Sequence, residues 1–378
     1  MVTPTHGRGG AEEYLLAVAK AAVDRGWQAD AALPSTPATA AVFDDLRAAG
    51  VHPHPAGLRA APQSRWQIVP ALAQDAYLTM RLIRRCRPDR VLLILPAPQR
   101  GLGTMLAAAA TGTPCVVTFQ VMTSGIEVSP VKRWLYRRAR SRRQCWVAVS
   151  DNNKELVARS FRVDPATVRR VYNGVEIPPE VAASEREQIR DEVRRELGLP
   201  DRARLVISVG RLTDQKGHRY VVPALGDVVR EHPDARFLWA GAGPNEVALR
   251  AQLVAAGLQD VVLLLGHRTD VDRLLRAAEL LLFPSVFEGY PFALMEAMAA
   301  GVPVVSSRLG PMTEVVKDRV TGLTFDPADT GEVARRLSWA LAHPAEMEEM
   351  AARGRAVVSE RYTRSRMLEE TFAVLQAA

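Results

Sequence analysis

The sequence predicts two doubly wound α/β domains, each built on a parallel sheet. Three observations carry that reading. Short apolar runs alternate with segments of helical period along nearly the whole chain, the pattern of parallel strands joined by crossover helices. The alternation breaks near Ile177-Pro178-Pro179-Glu180 and then restarts. The length, 378 residues, is about twice that of an ordinary domain of roughly 100–200 residues.

The chain opens on a strand of two or three residues, followed by the turn Gly7-Arg8-Gly9-Gly10. A helix follows over 11–24, with Tyr14, Leu15, Val18 and Ala22 at helical spacing. Further strands are expected at 30–33, 90–96, 115–120, 146–150 and 168–172, with helices at 67–85 and 103–110. The second half starts with a charged helix, 182–197. Strands then fall at 204–210, 235–241, 261–266, 280–284, 302–307 and 321–325, and helices at 217–232, 246–256, 328–342 and 364–377. The expected domains are 1–180 and 181–360, with 361–378 a C-terminal helix crossing back to the first. Open parallel sheets bind ligands at the carboxyl ends of their strands. Two such domains facing each other put the site in the cleft between them.

Composition narrows the class. Hydrophobic residues make up 48% and charged residues 24%, which excludes a disordered or fibrous chain. No apolar run approaches the roughly 20 residues of a membrane span. The first residues show no charged segment leading into an apolar one, so no secretory leader is expected. Cys86, Cys115 and Cys145 are far apart with no CxxC pair. Neither a disulfide framework nor a thiolate zinc site is supported, and a reducing compartment is the expectation. The net charge of +7 is uneven. Residues 1–180 hold 24 Lys and Arg against 14 Asp and Glu, net +10; the rest hold 25 against 28, net −3. A basic first half suggests an anionic partner for it.

The strongest motif is the run from Pro284 to Val305. It reads strand, Gly-Tyr-Pro turn, helix, Gly301 cap, strand. Glu288 sits just before the helix and Glu296 lies along it. Open backbone N–H groups at a helix start favour an anion, and a carboxylate there can accept hydrogen bonds from sugar hydroxyls. Arg211 and Lys216 follow a buried strand and lie before or at a helix start. A guanidinium fork plus a point charge suits a diphosphate.

These residues resemble a known family. Glu288 and Glu296 have the E-x7-E spacing of retaining glycosyltransferases of family four, which have the GT-B fold of two Rossmann-like domains. Gly9 to Glu12 looks like that family's first loop. Val209 to Leu212 with Gln215-Lys216-Gly217 is similar to its GRLxxxKG segment, and Val171-Tyr172-Asn173-Gly174-Val175 to its NGV element. The resemblance covers nearly the whole chain. It implies that Arg211 and Lys216 neutralise the leaving nucleotide diphosphate, that Glu296 binds the ribose, and that Glu288 holds donor-sugar hydroxyls. The amides around Gly289, Tyr290, Pro291 and Phe292 would touch sugar or phosphate. Gly9 and Gly10 would let the backbone approach the transferring group. His267 and Arg268, after Gly266, would lie at the nucleobase.

One departure stands out. Where the family often has His after a VVTF strand, this chain has Gln120 after Val116-Val117-Thr118-Phe119. Gln cannot be a general base but can hydrogen-bond a sugar hydroxyl. His6 could substitute, although an exposed loop His is the simpler reading. Catalysis then rests on positioning and on charge stabilisation of the leaving diphosphate.

Rival signals are weaker. Asp270-Val271-Asp272 matches a metal-binding D-x-D but reads better as a helix cap. Gly241-Ala242-Gly243-Pro244 fails the dinucleotide fingerprint and reads as a plain strand–helix turn. The basic run from Lys132 to Arg143 reads as a solvated helix with Val131, Trp134 and Leu135 turned inward. Its alternative role is peripheral contact with anionic lipid through 131–143.

The expected activity is therefore retaining, metal-independent transfer of a sugar from a UDP- or GDP-sugar co-substrate. No resident cofactor is expected. The acceptor would be a hydroxyl-bearing small molecule or lipid-linked glycan, in cell-envelope or natural-product synthesis. The Ala- and Arg-rich composition suggests a bacterial source, and the expected location is cytoplasmic, at most peripheral at the inner membrane face. The alternatives are a sugar-nucleotide epimerase on the same fold, or a nucleic-acid-binding protein using the basic half. No nucleic-acid module is recognisable, so nucleic acid is not an expected partner.

Overall fold

A computed structural model describes residues 1–5, 9–58, 68–97, 101–122, 128–140 and 143–378. His6 therefore lies outside the described residues. Contacts divide the chain into two compact units, Met1–Asn173 with Arg364–Ala378, and Gly174–Thr363.

The first unit alternates helices and strands in the expected manner. Its elements are α1 (Gly10–Asp24), β1 (Asp30–Leu33), α2 (Ala40–Ala48), β2 (His52–Pro55), α3 (Ile68–Cys86) and β3 (Val91–Leu95). They continue with α4 (Leu102–Thr111), β4 (Cys115–Phe119), α5 (Pro130–Ala139), β5 (Gln144–Ala148), α6 (Asp151–Phe161) and β6 (Val168–Arg170). The pairing order β3-β4-β5-β6 is parallel throughout. Strand β1 pairs in parallel with β2. Among the described residues the opening segment forms no strand of its own, but its bridge residue Val2 links the two groups, pairing with Ala32 on one side and Leu93 on the other.

Strand β2 was not legible. Its sequence, His52-Pro53-His54-Pro55, carries two prolines, which lack the N–H a central strand needs. It survives at the edge, with β1 as its partner strand. His52 and Ala56 donate to Ala29 and Leu33, so alternation turns the proline nitrogens outward.

Helix α5 corrects another expectation. Val131 and Trp134 do not turn inward; they are 69% and 63% exposed. The buried stripe runs through Leu135, Tyr136 and Ala139. Trp134 lies about a quarter turn outside that stripe, and Val131 is on the first turn, beyond its packed part.

The second unit carries α7 (Ala183–Glu196), β7 (Arg204–Val209), α8 (His218–Glu231), β8 (Ala235–Ala240), α9 (Glu246–Ala255), β9 (Val262–Gly266) and α10 (Val271–Ala277). Then come β10 (Leu280–Phe283), α11 (Phe292–Ala299), β11 (Val304–Ser307), α12 (Met312–Val315), β12 (Leu323–Phe325), α13 (Thr330–Ala342) and α14 (Pro344–Arg361). Its six parallel strands run β12-β11-β10-β7-β8-β9. The order reverses between β7 and β10, the switch point at which open α/β sheets hold ligands. Fully buried Phe237, Trp239, Leu282 and Phe325 anchor its core.

The last helix, α15 (Arg364–Ala377), belongs to the first unit. Met367, Phe372 and Leu375 join the cluster of Tyr14, Leu15 and Val18 from α1. The buried Tyr14 hydroxyl meets Thr371 Oγ1 at 3.0 Å.

Candidate active site

The switch point of the second unit gathers most of the expected site residues. The loop after β7 runs Gly210 to Gly217, and the loop after β10 runs Pro284 to Pro291. The two are stitched together, with Val286 N–H donating to Gln215 O at 2.8 Å and Gln215 Nε2 to Phe287 O at 3.2 Å. Gly217 is essential to this contact. Its φ is +72°, and a Cβ there would lie 2.0 Å from Pro284 O.

Lys216 Nζ meets Glu288 Oε1 at 2.6 Å. The carboxylate is 7% exposed and the lysine side chain 17%. Gln215 Nε2 donates to the other carboxylate oxygen at 3.4 Å. Two residues expected in separate roles, one at phosphate and one at sugar, thus form a single charged pair. The lysine nitrogen also lies 5.4 Å from the Phe283 ring centroid.

Arg211 is exposed and makes no ion pair with any described residue. Its backbone is held from behind. Leu212 N–H donates to Ala242 O at 3.0 Å, and the Leu212 side chain is fully buried. Added Cβ atoms at Gly241 and Gly243 would lie 1.9 Å from Gly210 O and 2.3 Å from Leu212 O. The Gly-Ala-Gly segment is therefore more than a plain strand–helix turn. It is a close backbone bed under Gly210 and Leu212, the residues that flank Arg211.

Pro291 occupies the N-cap position of α11, and no side chain caps that helix. Tyr290 is buried against Tyr362, ring centroids 5.6 Å apart. Gly289 and Pro291 are buried, Phe292 is half-buried, and Glu296 is exposed along α11. At the end of β9, His267 is exposed. The Arg268 guanidinium is taken by Asp270 at 2.7 Å and by Glu196 at 2.8 Å. These partners hold Arg268 above the ordinary arginine range and, chiefly through Arg268, Asp270 below the ordinary carboxylate range. Asp270 sits at the N-cap position of α10 but makes no side-chain cap. The cap expectation is corrected, because its carboxylate is spent on Arg268 and Arg273.

His218 was not anticipated. It opens α8 immediately after Lys216-Gly217, is 3% exposed, and packs on Trp239 at 4.8 Å between ring centroids. Burial, with Lys216 nearby, pushes its pKa down to about 3. The ring is therefore neutral at neutral pH. A histidine directly after the Lys-Gly pair at a helix start was the signal available in the sequence.

The first unit carries the remaining expected residues at the carboxyl edge of its sheet. Gln120 follows β4 and is 4% exposed. It accepts from Asn173 Nδ2 at 3.2 Å, so the VVTF and NGV segments meet there. Its own Nε2 has no partner among the described residues. Gly9 caps α1 in an extended conformation. A Cβ there would meet only Glu12 Oε2, at 3.6 Å, so no described neighbour demands a glycine. Gly10 is the exposed first residue of α1.

Known proteins agree with this architecture. Residues 8–177 match the family model Glycosyltransferase Family 4, and residues 189–357 match Glycosyl transferases group 1. An uncharacterized glycosyltransferase of Methanocaldococcus jannaschii is 29% identical over 234 residues, 61% of this chain and 60% of that protein. The UDP-Gal:alpha-D-GlcNAc-diphosphoundecaprenol alpha-1,3-galactosyltransferase of Escherichia coli is 28% identical over 239 residues, again 61% and 60%. The matched stretch thus spans about three fifths of these relatives' length. Among solved structures, Anabaena HepE in complex with UDP-glucose superposes with a TM-score of 0.83 at 20% identity, covering 100% of this chain and 99% of that one. With one glycosyltransferase family model on each half and a GT-B neighbour over its full length, the chain belongs to the GT-B glycosyltransferases of the family-four type.

Proposed function

We propose that this protein transfers a sugar from a nucleotide-diphosphate sugar to a hydroxyl acceptor, with retention at the anomeric carbon and without a metal ion. The part-buried Lys216–Glu288 pair at the strand-order switch point carries the proposal. In this reading Lys216 and Arg211 neutralise the diphosphate, the developing charge in the transition state. Glu288 is held in place by Lys216 to receive donor-sugar hydroxyls. Glu296 takes the ribose hydroxyls, and the uncapped start of α11 offers amide N–H groups to sugar or phosphate. The Arg268 side chain is committed to its carboxylates, so the nucleobase is met by main chain around Gly266 and His267. Gln120 offers its unpaired Nε2 to a sugar or acceptor hydroxyl.

The donor is a UDP- or GDP-sugar; HepE binding UDP-glucose supports the first. The acceptor binds the first unit. The E. coli relative acts on a lipid-linked acceptor and an alpha-D-kanosaminyltransferase of Streptomyces kanamyceticus is also similar, so envelope glycan and natural-product acceptors are both in range. No described helix is long and apolar enough to cross a membrane. Exposed Val131 and Trp134 beside Lys132, Arg133, Arg137 and Arg138 support peripheral contact with anionic lipid through α5. Binding to acidic liposomes that salt does not weaken, or no binding at all, counts against that contact.

The decisive experiment incubates the protein with labelled UDP- and GDP-sugars, a panel of hydroxyl acceptors and EDTA, then reads the anomeric configuration of any product. Transfer with retention in EDTA is the expected result. An inverted product, or a strict requirement for added metal, overturns the mechanism.

A further inference from the structure

The geometry points to a binding site for one thiophilic divalent cation, zinc foremost, formed by Asp30, His54 and Cys86 of the first unit. Three elements far apart in sequence supply these residues: the first residue of β1, the third of β2 and the last of α3. One donor atom from each lies within 4.8 Å of the others. His54 Nε2 is 2.6 Å from Asp30 Oδ1 and 3.8 Å from Cys86 Sγ. All three side chains are half-buried.

The direction of the contacts separates a metal site from a catalytic relay. A nucleophile–histidine–acid relay uses both ring nitrogens, one toward the acid and one toward the nucleophile. Here the same nitrogen faces carboxylate and thiol together, so the donors converge on one point. In a tetrahedral zinc site with bonds of about 2.0–2.3 Å, donor atoms lie roughly 3.3–3.7 Å apart. The sulfur–nitrogen separation is already close to that. The histidine–carboxylate contact has to open by about 1 Å, which a small side-chain rotation supplies. Cysteine, histidine and carboxylate together select zinc over calcium or magnesium. Burial and the Asp30 carboxylate hold the Cys86 thiol above its ordinary pKa, so the free site keeps its proton. Binding releases that proton to solvent as the thiolate ligates, and water completes the fourth position.

The placement assigns the ion a structural task. Asp30 opens β1, and Cys86 ends the helix that leads into β3, so the cluster lies at the amino-terminal edge of the sheet. Gln120 follows the end of β4, at the opposite edge. A cation here ties the edge strand β2 to α3 and leaves the reaction untouched.

Cobalt(II) titration of the metal-free full-length chain tests this directly. The expected result is a thiolate-to-cobalt charge-transfer band that saturates at one equivalent and is displaced by zinc. Zinc should also raise Tm, by about 5–10 °C at a hundredfold excess over Kd. Cys86→Ser should abolish the band, and Cys145→Ser should keep it. His54→Asn should weaken cobalt binding at least tenfold in a protein whose circular dichroism is unchanged. The proposal is overturned by no band in the wild type, by a band that survives Cys86→Ser, or by unchanged affinity in His54→Asn.

Discussion

Lys216 and Glu288 show how far a single residue can be read. Their types and positions follow from the sequence, and the expectation placed them at different parts of the donor. The 2.6 Å contact between them changes how a mutation should be interpreted. Lys216→Ala strips a partner from a nearly buried carboxylate, a change that costs up to roughly 3–5 kcal/mol where both charges are buried. Lost activity in that variant therefore mixes catalysis with stability. Glu296 is exposed on α11, so Glu296→Ala should alter stability by less than about 0.5 kcal/mol. It should still lower transfer at least a hundredfold; initial rates and urea melts on the same preparation separate the two effects. His218 makes a second residue-scale prediction. Its pKa falls from the ordinary 6.5 to about 3 in the folded state, so the unfolded chain binds the extra proton first. Its contribution is intact above pH 6.5 and is lost as pH falls toward 3, at up to about 1.4 kcal/mol per pH unit. Urea melts between pH 7 and 4 should show a shallower decline for His218→Phe than for the wild type.

At the scale of elements, glycines fix the loops that carry the charges. Gly241 has φ +156° and no room for a Cβ beside Gly210 O. Gly241→Ala should push the Arg211 loop off its bed, destabilise the second unit by about 2 kcal/mol or more, and weaken UDP binding in calorimetry. Unaltered UDP affinity in that variant would show that the bed does not position Arg211. Helix α5 gives the contrasting case. Trp134 is 63% exposed, so Trp134→Ala should shift the urea midpoint by an amount equivalent to less than about 0.5 kcal/mol. The elements also mark where reading fails. The Val-, Leu- and Ile-rich strands β3, β7 and β10 declare themselves by composition, because a strand covered on both faces is a continuous apolar run. Strand β2 does not, since its His-Pro repeat is tolerated only at an edge. The inward stripe of α5 was misplaced because period alone does not say which turns the neighbouring helices reach.

At the scale of the whole molecule, the strand order of the second unit brings the loops after β7 and β10 side by side. A nucleotide held there binds the folded state only, so it stabilises by mass action. UDP or GDP at a hundredfold excess over Kd should add about 2.7 kcal/mol, read as a rise in Tm that Glu296→Ala removes. Helix α15 supplies a second test at this scale. It covers Tyr14 and Leu15 in the first unit's core, so removing Arg364–Ala377 should destabilise that unit and expose its apolar surface to a dye such as ANS. The charge asymmetry takes on a narrower meaning as well. The excess of +10 lies in the first half, whereas Arg211 and Lys216 belong to the second unit. In the proposed reading, bulk charge is thus not what would hold the donor, and α5 presents part of that excess at the surface.

Strand–helix alternation, the break near Pro178 and the spacing of Arg211, Lys216, Glu288 and Glu296 were all local patterns, and local patterns are written directly in the sequence. They set the fold class, the family and the residue types of the site. Pairing across distance is not written there. That Lys216 lies on Glu288, that Gly241 lies under Gly210, that Gln120 meets Asn173 and that Asp30, His54 and Cys86 converge were decided by the order of strands in the sheets. Backbones packed at van der Waals distance leave side chains few directions to point, and that constraint exists only once the chain has folded.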